Sequence, residues 1–161
     1  MDNKNKLIII TAIILIIIIG IFYLKKDFSK IGPLGSAHEH ADFRVFINGK
    51  ELNFAHPEYM VRDKYVHIED MIGTKIHKHA IGITFGYFFK TLGFEFNKDC
   101  FILDNKEEYC NNDEKRLKFY VNSKMNYEYG NYEIREGDKY LVSYGDESEE
   151  EIQEQLESIT S

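Results

Sequence analysis

The chain predicts an α+β fold: a mainly antiparallel sheet with one short core helix, preceded by a single N-terminal transmembrane helix. Three observations carry this. Residues 7–24 read LIIITAIILIIIIGIFYL without a charge. From residue 42 onward, apolar residues alternate with period two between turn signals, the mark of strands with one buried face. One segment, Thr84–Gly93, switches to helical spacing.

At the helical rise, the apolar run covers about 27 Å, close to the ~30 Å hydrocarbon core of a bilayer. Lys4 and Lys6 precede it, Lys25 and Lys26 follow, and Phe22 and Tyr23 sit near its distal end, where rings occupy the headgroup region. A cleaved signal peptide has a shorter apolar stretch, roughly 7–15 residues, and a small-residue cleavage site. Here the run ends in Tyr-Leu-Lys-Lys, with only Gly35-Ser36-Ala37 downstream. The expectation is an uncleaved single-pass anchor whose partner is the lipid bilayer, contacted through Leu7–Leu24. The flanking lysines do not favour a cytoplasmic N-terminus, because Lys25, Lys26 and Lys30 outnumber Lys4 and Lys6. The six residues before the anchor are too few to fold, and the two cysteines suit an oxidising compartment. The soluble part is therefore expected outside the cytoplasm, at the cell membrane.

The chain divides by composition into a tail (1–6), the anchor (7–24), a linker with Gly32, Pro33 and Gly35 (25–36), a β-rich soluble domain (37–145) and an acidic amphipathic C-terminal helix or tail (146–161). The net charge is −7, and seven acidic residues with no basic one lie in 146–161. The rest is balanced, with no basic patch, so nucleic acid is not an expected partner.

Phe43, Val45 and Ile47 alternate along a first strand. Asn48-Gly49 then supplies the two positive-φ positions of a type I′ hairpin before Leu52 and Phe54 alternate in turn. Leu117–Lys124 repeats the pattern of Phe43–Asn48 weakly. Thr84 caps a helix over 85–92 in which Phe85, Phe88, Phe89 and Leu92 form one apolar stripe, and Gly93 ends it. These aromatics are core rather than a cofactor box. A turn near Asn105-Lys106 would set Cys100 opposite Cys110, where a disulfide is feasible; free buried thiols and metal ligation are the alternatives. Arg135-Glu136-Gly137-Asp138-Lys139 turns into a final strand over 140–144. Ser148-Glu149-Glu150-Glu151 is a capping box, followed by Ile152, Leu156 and Ile159 at helical spacing. That stripe docks either on the protein's own domain or on a partner, since so short a helix is marginal alone.

All six histidines fall between residues 38 and 79. His38 and His40 share the even, outward face of the first strand with Asp42. His77 and His79 share a face of a second predicted strand, Lys75–Ile83, and His67 lies in a third candidate, Tyr65–Glu69. Neutral imidazole is the commonest metal-ligand side chain. His38, His40, His77 and His79, with His67 as a fifth, are the expected ligands, and Asp42 and Glu69 the expected hydrogen-bond acceptors behind them. Such donors suit Zn²⁺ or Cu²⁺, then Ni²⁺ or Fe²⁺. The bland reading is five solvated histidines on unrelated strands. His56, in a turn before Pro57, is set aside. No Walker loop, nucleophile elbow or H-E-x-x-H is present, so the reading leans away from an enzyme and leaves a hydrolase or oxidoreductase as the third alternative. Gly32 followed after five residues by His38-Glu39-His40 resembles the opening of a cupin metal signature, but Arg44 and Val45 stand where that signature needs glutamate.

His38-Glu39-His40-Ala41-Asp42-Phe43 through Ile47-Asn48-Gly49-Lys50, together with Ile76-His77-Lys78-His79-Ala80, resembles a group of archaeal membrane-anchored proteins over most of residues 38–155. That resemblance implies a paired-cysteine hairpin and a Gly-Asp-Lys turn before the last strand, and it implies no activity. The Gly137-Asp138-Lys139 turn also looks like those of ubiquitin-like β-grasp domains, which implies a β-grasp-like sheet. The expected function is a membrane-anchored, extracytoplasmic domain binding a transition metal for capture, delivery or structure. The alternative is a metal-free interaction module that meets another envelope protein through its sheet or its acidic C-terminal helix.

Overall fold

The computed structural model describes residues 13, 15 and 31–159. The run Leu7–Leu24 otherwise lies outside them, as do residues 160 and 161. Among the described residues, no helix is long and apolar enough to cross a membrane. The chain divides between Lys30 and Ile31, and the second unit holds the folded domain.

Its elements, in chain order, are β1 (Glu39–Ile47), β2 (Lys50–Glu51), β3 (Val66–His67), β4 (Lys75–Lys78), α1 (Phe85–Thr91), β5 (Glu95–Phe96), β6 (Cys100–Ile102), β7 (Glu108–Cys110), β8 (Arg116–Val121), β9 (Lys124–Met125), β10 (Lys139–Gly145) and α2 (Glu149–Ser158). The fold is α+β with a mainly antiparallel sheet, as expected, and the described residues of the domain hold the core helix and the C-terminal helix. The main sheet runs β3-β4-β1-β10-β8-β9, with β2 hairpinned onto β1. Its centre is one parallel pair, in which Phe43 to Ile47 of β1 match Tyr140 to Tyr144 of β10. A second sheet, β5-β6-β7, is closed by the Cys100–Cys110 disulfide, whose two residues are direct partners across the β6–β7 ladder.

Local chemistry accounts for these elements. Asn48 and Gly49 take φ of 50° and 74°, so the Asn-Gly hairpin forms as its sequence dictates. Asn122 and Ser123 repeat it at 50° and 63° between β8 and β9. Thr84 accepts from Tyr87 N (3.2 Å) to cap α1, and Gly93, at φ 92°, ends it. The α1 stripe is fully buried: Phe85, Phe88 and Phe89 pack with Phe43 of β1 and Phe119 and Tyr140 of the neighbouring strands. Along β1 the odd positions from Ala41 to Ile47 are buried and the even ones face outward, which commits His40, Asp42 and Arg44 to the other side.

That outward face is partly covered. α2 starts with a formed capping box at Ser148 and Glu151, and Ile152, Leu156 and Ile159 pack on Leu141, Phe46 and Tyr120. Its stripe thus serves the protein's own sheet. Arg44 Nε donates to Ser158 O (3.0 Å) at the helix C-terminus, and Lys118 pairs with Glu147 (2.7 Å) just before its N-terminus.

One expected strand is shortened. The alternation over Lys75–Ile83 stops pairing after Lys78, because the chain turns at Ala80 to Gly82, where Gly82 takes φ 76°. Gly82 N and Lys78 Nζ both bond Glu133 (2.6 and 3.3 Å), which locks that turn against the segment before β10.

Candidate metal centre

Register explains how five histidines meet. His40 of β1 lies opposite His77 of β4, and His77 opposite His67 of β3. Adjacent strands are ~4.8 Å apart and the side-chain period is two, so these three form a row on one face. His38, just before β1, and His79, just after β4, form a second row one step along. His79 is fixed there by its N–H to Tyr65 O and its carbonyl from Gly35 N, both 2.7 Å.

The rings form a closed circuit. Centroid separations are 5.0 Å for His38–His40, 4.7 Å for His40–His77, 6.0 Å for His77–His67, 5.0 Å for His67–His79 and 5.2 Å for His79–His38. Each imidazole touches two others. Exposure falls across the circuit: the side chain is 36% exposed at His40, 14% at His77 and 9% at His67. The contacts include edge-to-face pairs at 88° and 90°. Among the described residues, no three His, Cys, Asp or Glu side chains already stand as a set that could hold a metal ion.

Glu69 organises one side. Its Oε2 lies 3.2 Å from His67 Nε2 and its Oε1 3.2 Å from His77 Nδ1. His67 Nδ1 is 2.9 Å from the Asp63 carbonyl, which can only accept, so the Nδ1 proton is fixed and Nε2 is the basic nitrogen. That nitrogen faces Glu69 Oε2 at 3.2 Å, an ion pair when the imidazole carries a second proton. His77, holding Glu69 through Nδ1, keeps Nε2 for another partner. Asp63 is itself fixed by the N–H groups of Tyr65 and Val66 (2.7 and 3.3 Å). Burial moves His77 and His79 below the ordinary histidine range, and neighbouring imidazoles push the same way against the opposing pull of Glu69. Both are neutral near pH 7, so their lone pairs are available.

Asp42 does not join the circuit. It pairs with Lys75 (3.0 Å) on the same face, one step further along β1. His56 stands apart beside Asn53 and Tyr59. Two contributors were not read from the sequence. Asp63 orients His67, and the Asp-Lys-Tyr spacing of an Asx turn was its only signal. Glu136 accepts from His40 N at 2.6 Å, with no local signal at all. No family model, curated protein or solved structure matches the chain.

Proposed function

We propose that the protein is a membrane-anchored, extracytoplasmic domain that binds a transition metal, Zn²⁺ or Cu²⁺, through His38, His40, His67, His77 and His79. The observation that carries this reading is the circuit itself, with Glu69 set between His67 and His77. An imidazole bound at about 2.0–2.1 Å places the centroids of tetrahedrally arranged ligands about 5 Å apart. Four of the five contacts in the circuit fall between 4.7 and 5.2 Å. Side-chain rotations would be needed to turn the nitrogens onto one ion, since no three donors already stand as a set among the described residues. A donor set of imidazoles without thiolate fits the borderline ions at the top of the divalent affinity order. The open side, at exposed His38, suits capture and delivery better than a sealed structural site.

The charge-free run Leu7–Leu24 supports the anchor. The disulfide supports placement in an oxidising compartment. The parallel central pairing of β1 with β10, with α1 packed across it, supports the β-grasp-like reading of the fold. The test is elemental analysis of the full chain purified in detergent without a histidine tag, beside the His77→Ala/His79→Ala double variant. About one ion per chain in the parent and its loss in the variant support the site. Equal trace metal in both removes it.

A further inference from the structure

We infer that Glu136 is a carboxylate ligand of the ion held by the histidine circuit, and that it makes the site select a divalent ion over Cu⁺. The inference rests on the metal-binding reading above, to which it adds a donor and a basis for selectivity.

The backbone brings Glu136 to the open side of the circuit. Gly137 takes φ 73°, a conformation open to glycine without strain, and turns the chain back along β1. Gly137 N donates to His40 O (2.8 Å), and Asp42 N donates to Asp138 O (3.0 Å). His40 N in turn donates to Glu136 Oε2 (2.6 Å). Both main-chain groups of His40 are therefore held by residues 136 and 137, and the carboxylate is carried to the side of the ring. Glu136 Oε2 stands 3.9 Å from His40 Nδ1. That is too long for a hydrogen bond. It is close to the ~3.4 Å that separates two donors in a tetrahedron around Zn²⁺, with bonds of about 2.0–2.2 Å.

Ion pairing singles out this residue. Lys78 takes Glu39 and Glu133, and Lys75 takes Asp42. Arg135, its neighbour in the chain, lies over the Tyr132 ring at 5.3 Å. Among the described residues, Glu69 and Glu136 are the two carboxylates whose ion-pair partners are imidazoles alone, and each of those imidazoles belongs to the circuit. Their places differ. Glu69 uses both oxygens on the two more buried rings, His67 and His77. Glu136 stands beside the more exposed His40, and its Oε1 has no partner among the described residues. An oxygen is thus left for an ion after the His40 N–H is satisfied. At 63% exposed, the side chain has room to turn onto that ion. A carboxylate oxygen is a hard donor that suits a divalent ion and adds little for soft Cu⁺, which imidazoles hold without it.

The experiment uses the full chain in detergent without a histidine tag, as parent and as Glu136→Gln. The amide keeps an oxygen for His40 N and removes the charge. Competition with a chromophoric chelator reads Zn²⁺ affinity, and competition with bicinchoninate under ascorbate reads Cu⁺ affinity. E136Q should bind Zn²⁺ at least about tenfold more weakly, since a lost ligand costs no less than a lost carboxylate behind one. Its Cu⁺ affinity and its metal-free unfolding temperature should match the parent. Unchanged Zn²⁺ affinity overturns the inference and leaves the imidazole site standing. Equal losses for both ions would make Glu136 only a support of His40, which also overturns it. Co²⁺ in place of Zn²⁺ supplies a readout separate from affinity: at saturation the visible absorption should shift between parent and E136Q, and identical spectra overturn the ligand role. A parent that binds none of these ions overturns the metal-binding reading and this inference together.

Discussion

Replacing Glu69 by Gln isolates the support of the proposed ligands from the imidazoles themselves. The amide keeps the shape of the carboxylate, and its oxygen can still accept from His77 Nδ1. Its NH₂ would then donate to His67 Nε2, which lies 3.2 Å from Glu69 Oε2 in the parent, and so occupy the lone pair that the proposed metal would need. Removing a carboxylate that orients ligating imidazoles costs roughly 10–100-fold in metal affinity, or about 1.4–2.7 kcal/mol. The effect on folding is far smaller. The Glu69 side chain is 38% exposed, and pairs of that exposure contribute at most about 1 kcal/mol. For a domain of this size that is a shift of a few degrees in Tm. Competition against a chromophoric chelator at pH 7.5 measures the affinity, and thermal unfolding without metal measures the rest. Asp42→Asn is the control, since Asp42 bonds Lys75 on the same face and leaves the circuit alone. An E69Q affinity within twofold of the parent, or an equal loss in D42N, would refute this role for Glu69.

Other consequences can be measured independently. Lys78 is 2% exposed and bonds Glu39, Glu133 and Ile134 O. Lys78→Met should cost about 2 kcal/mol in urea unfolding, less than the 3–5 of a fully buried pair because both carboxylates keep some water; an unchanged midpoint would show the ties to be idle. Leu156→Ala should cost about 2–3 kcal/mol by the same assay, because it leaves a void between α2 and Leu141, and a loss below 0.5 kcal/mol would mean that α2 is not held there. The metal-free domain should lose stability on acidification. His77 and His79 titrate lower in the folded than in the unfolded chain, so the folded state binds fewer protons. Their contribution is complete above about pH 6.5, the unfolded value, and declines as pH falls from there through the folded values. Urea midpoints at pH 7.5 and 5.5 should show this decline, weakened in His77→Ala/His79→Ala; a midpoint that rises on acidification contradicts it.

What the sequence disclosed was local. The Asn48-Gly49 hairpin, the Thr84-capped helix and the Ser148 capping box are set by residues within one turn of each other, and each forms where its signal lies. The even-face placement of His40 also followed from alternation alone. Strand order was not legible, because it depends on which apolar faces find each other. That β4 sits between β1 and β3 is what aligns His40, His77 and His67 into a row. The turn after Lys78 was hidden by continuing alternation, and its cause is Glu133, more than fifty residues away. Lys78 shares the inner face of β4 with Ile76, and its ammonium is held there by Ile134 O, Glu39 and Glu133, partners that alternation does not reveal. Asp42 shares the face of the histidines but is drawn off by Lys75, a choice between neighbours that spacing alone does not decide.

The parallel pairing of β1 with β10 has a kinetic consequence. The two innermost ladders of the main sheet join residues 42–47 to 139–144 and those in turn to 116–121. Nearly a hundred residues of slack must be gathered before the centre of the sheet exists, and folds dominated by such distant pairings form slowly. Until the last strand has arrived, β1 presents an open apolar edge with only its hairpin and β4 alongside. A chain that stops short of residue 139 would therefore not be a smaller version of this domain but an unfinished one, prone to join with strands from other chains.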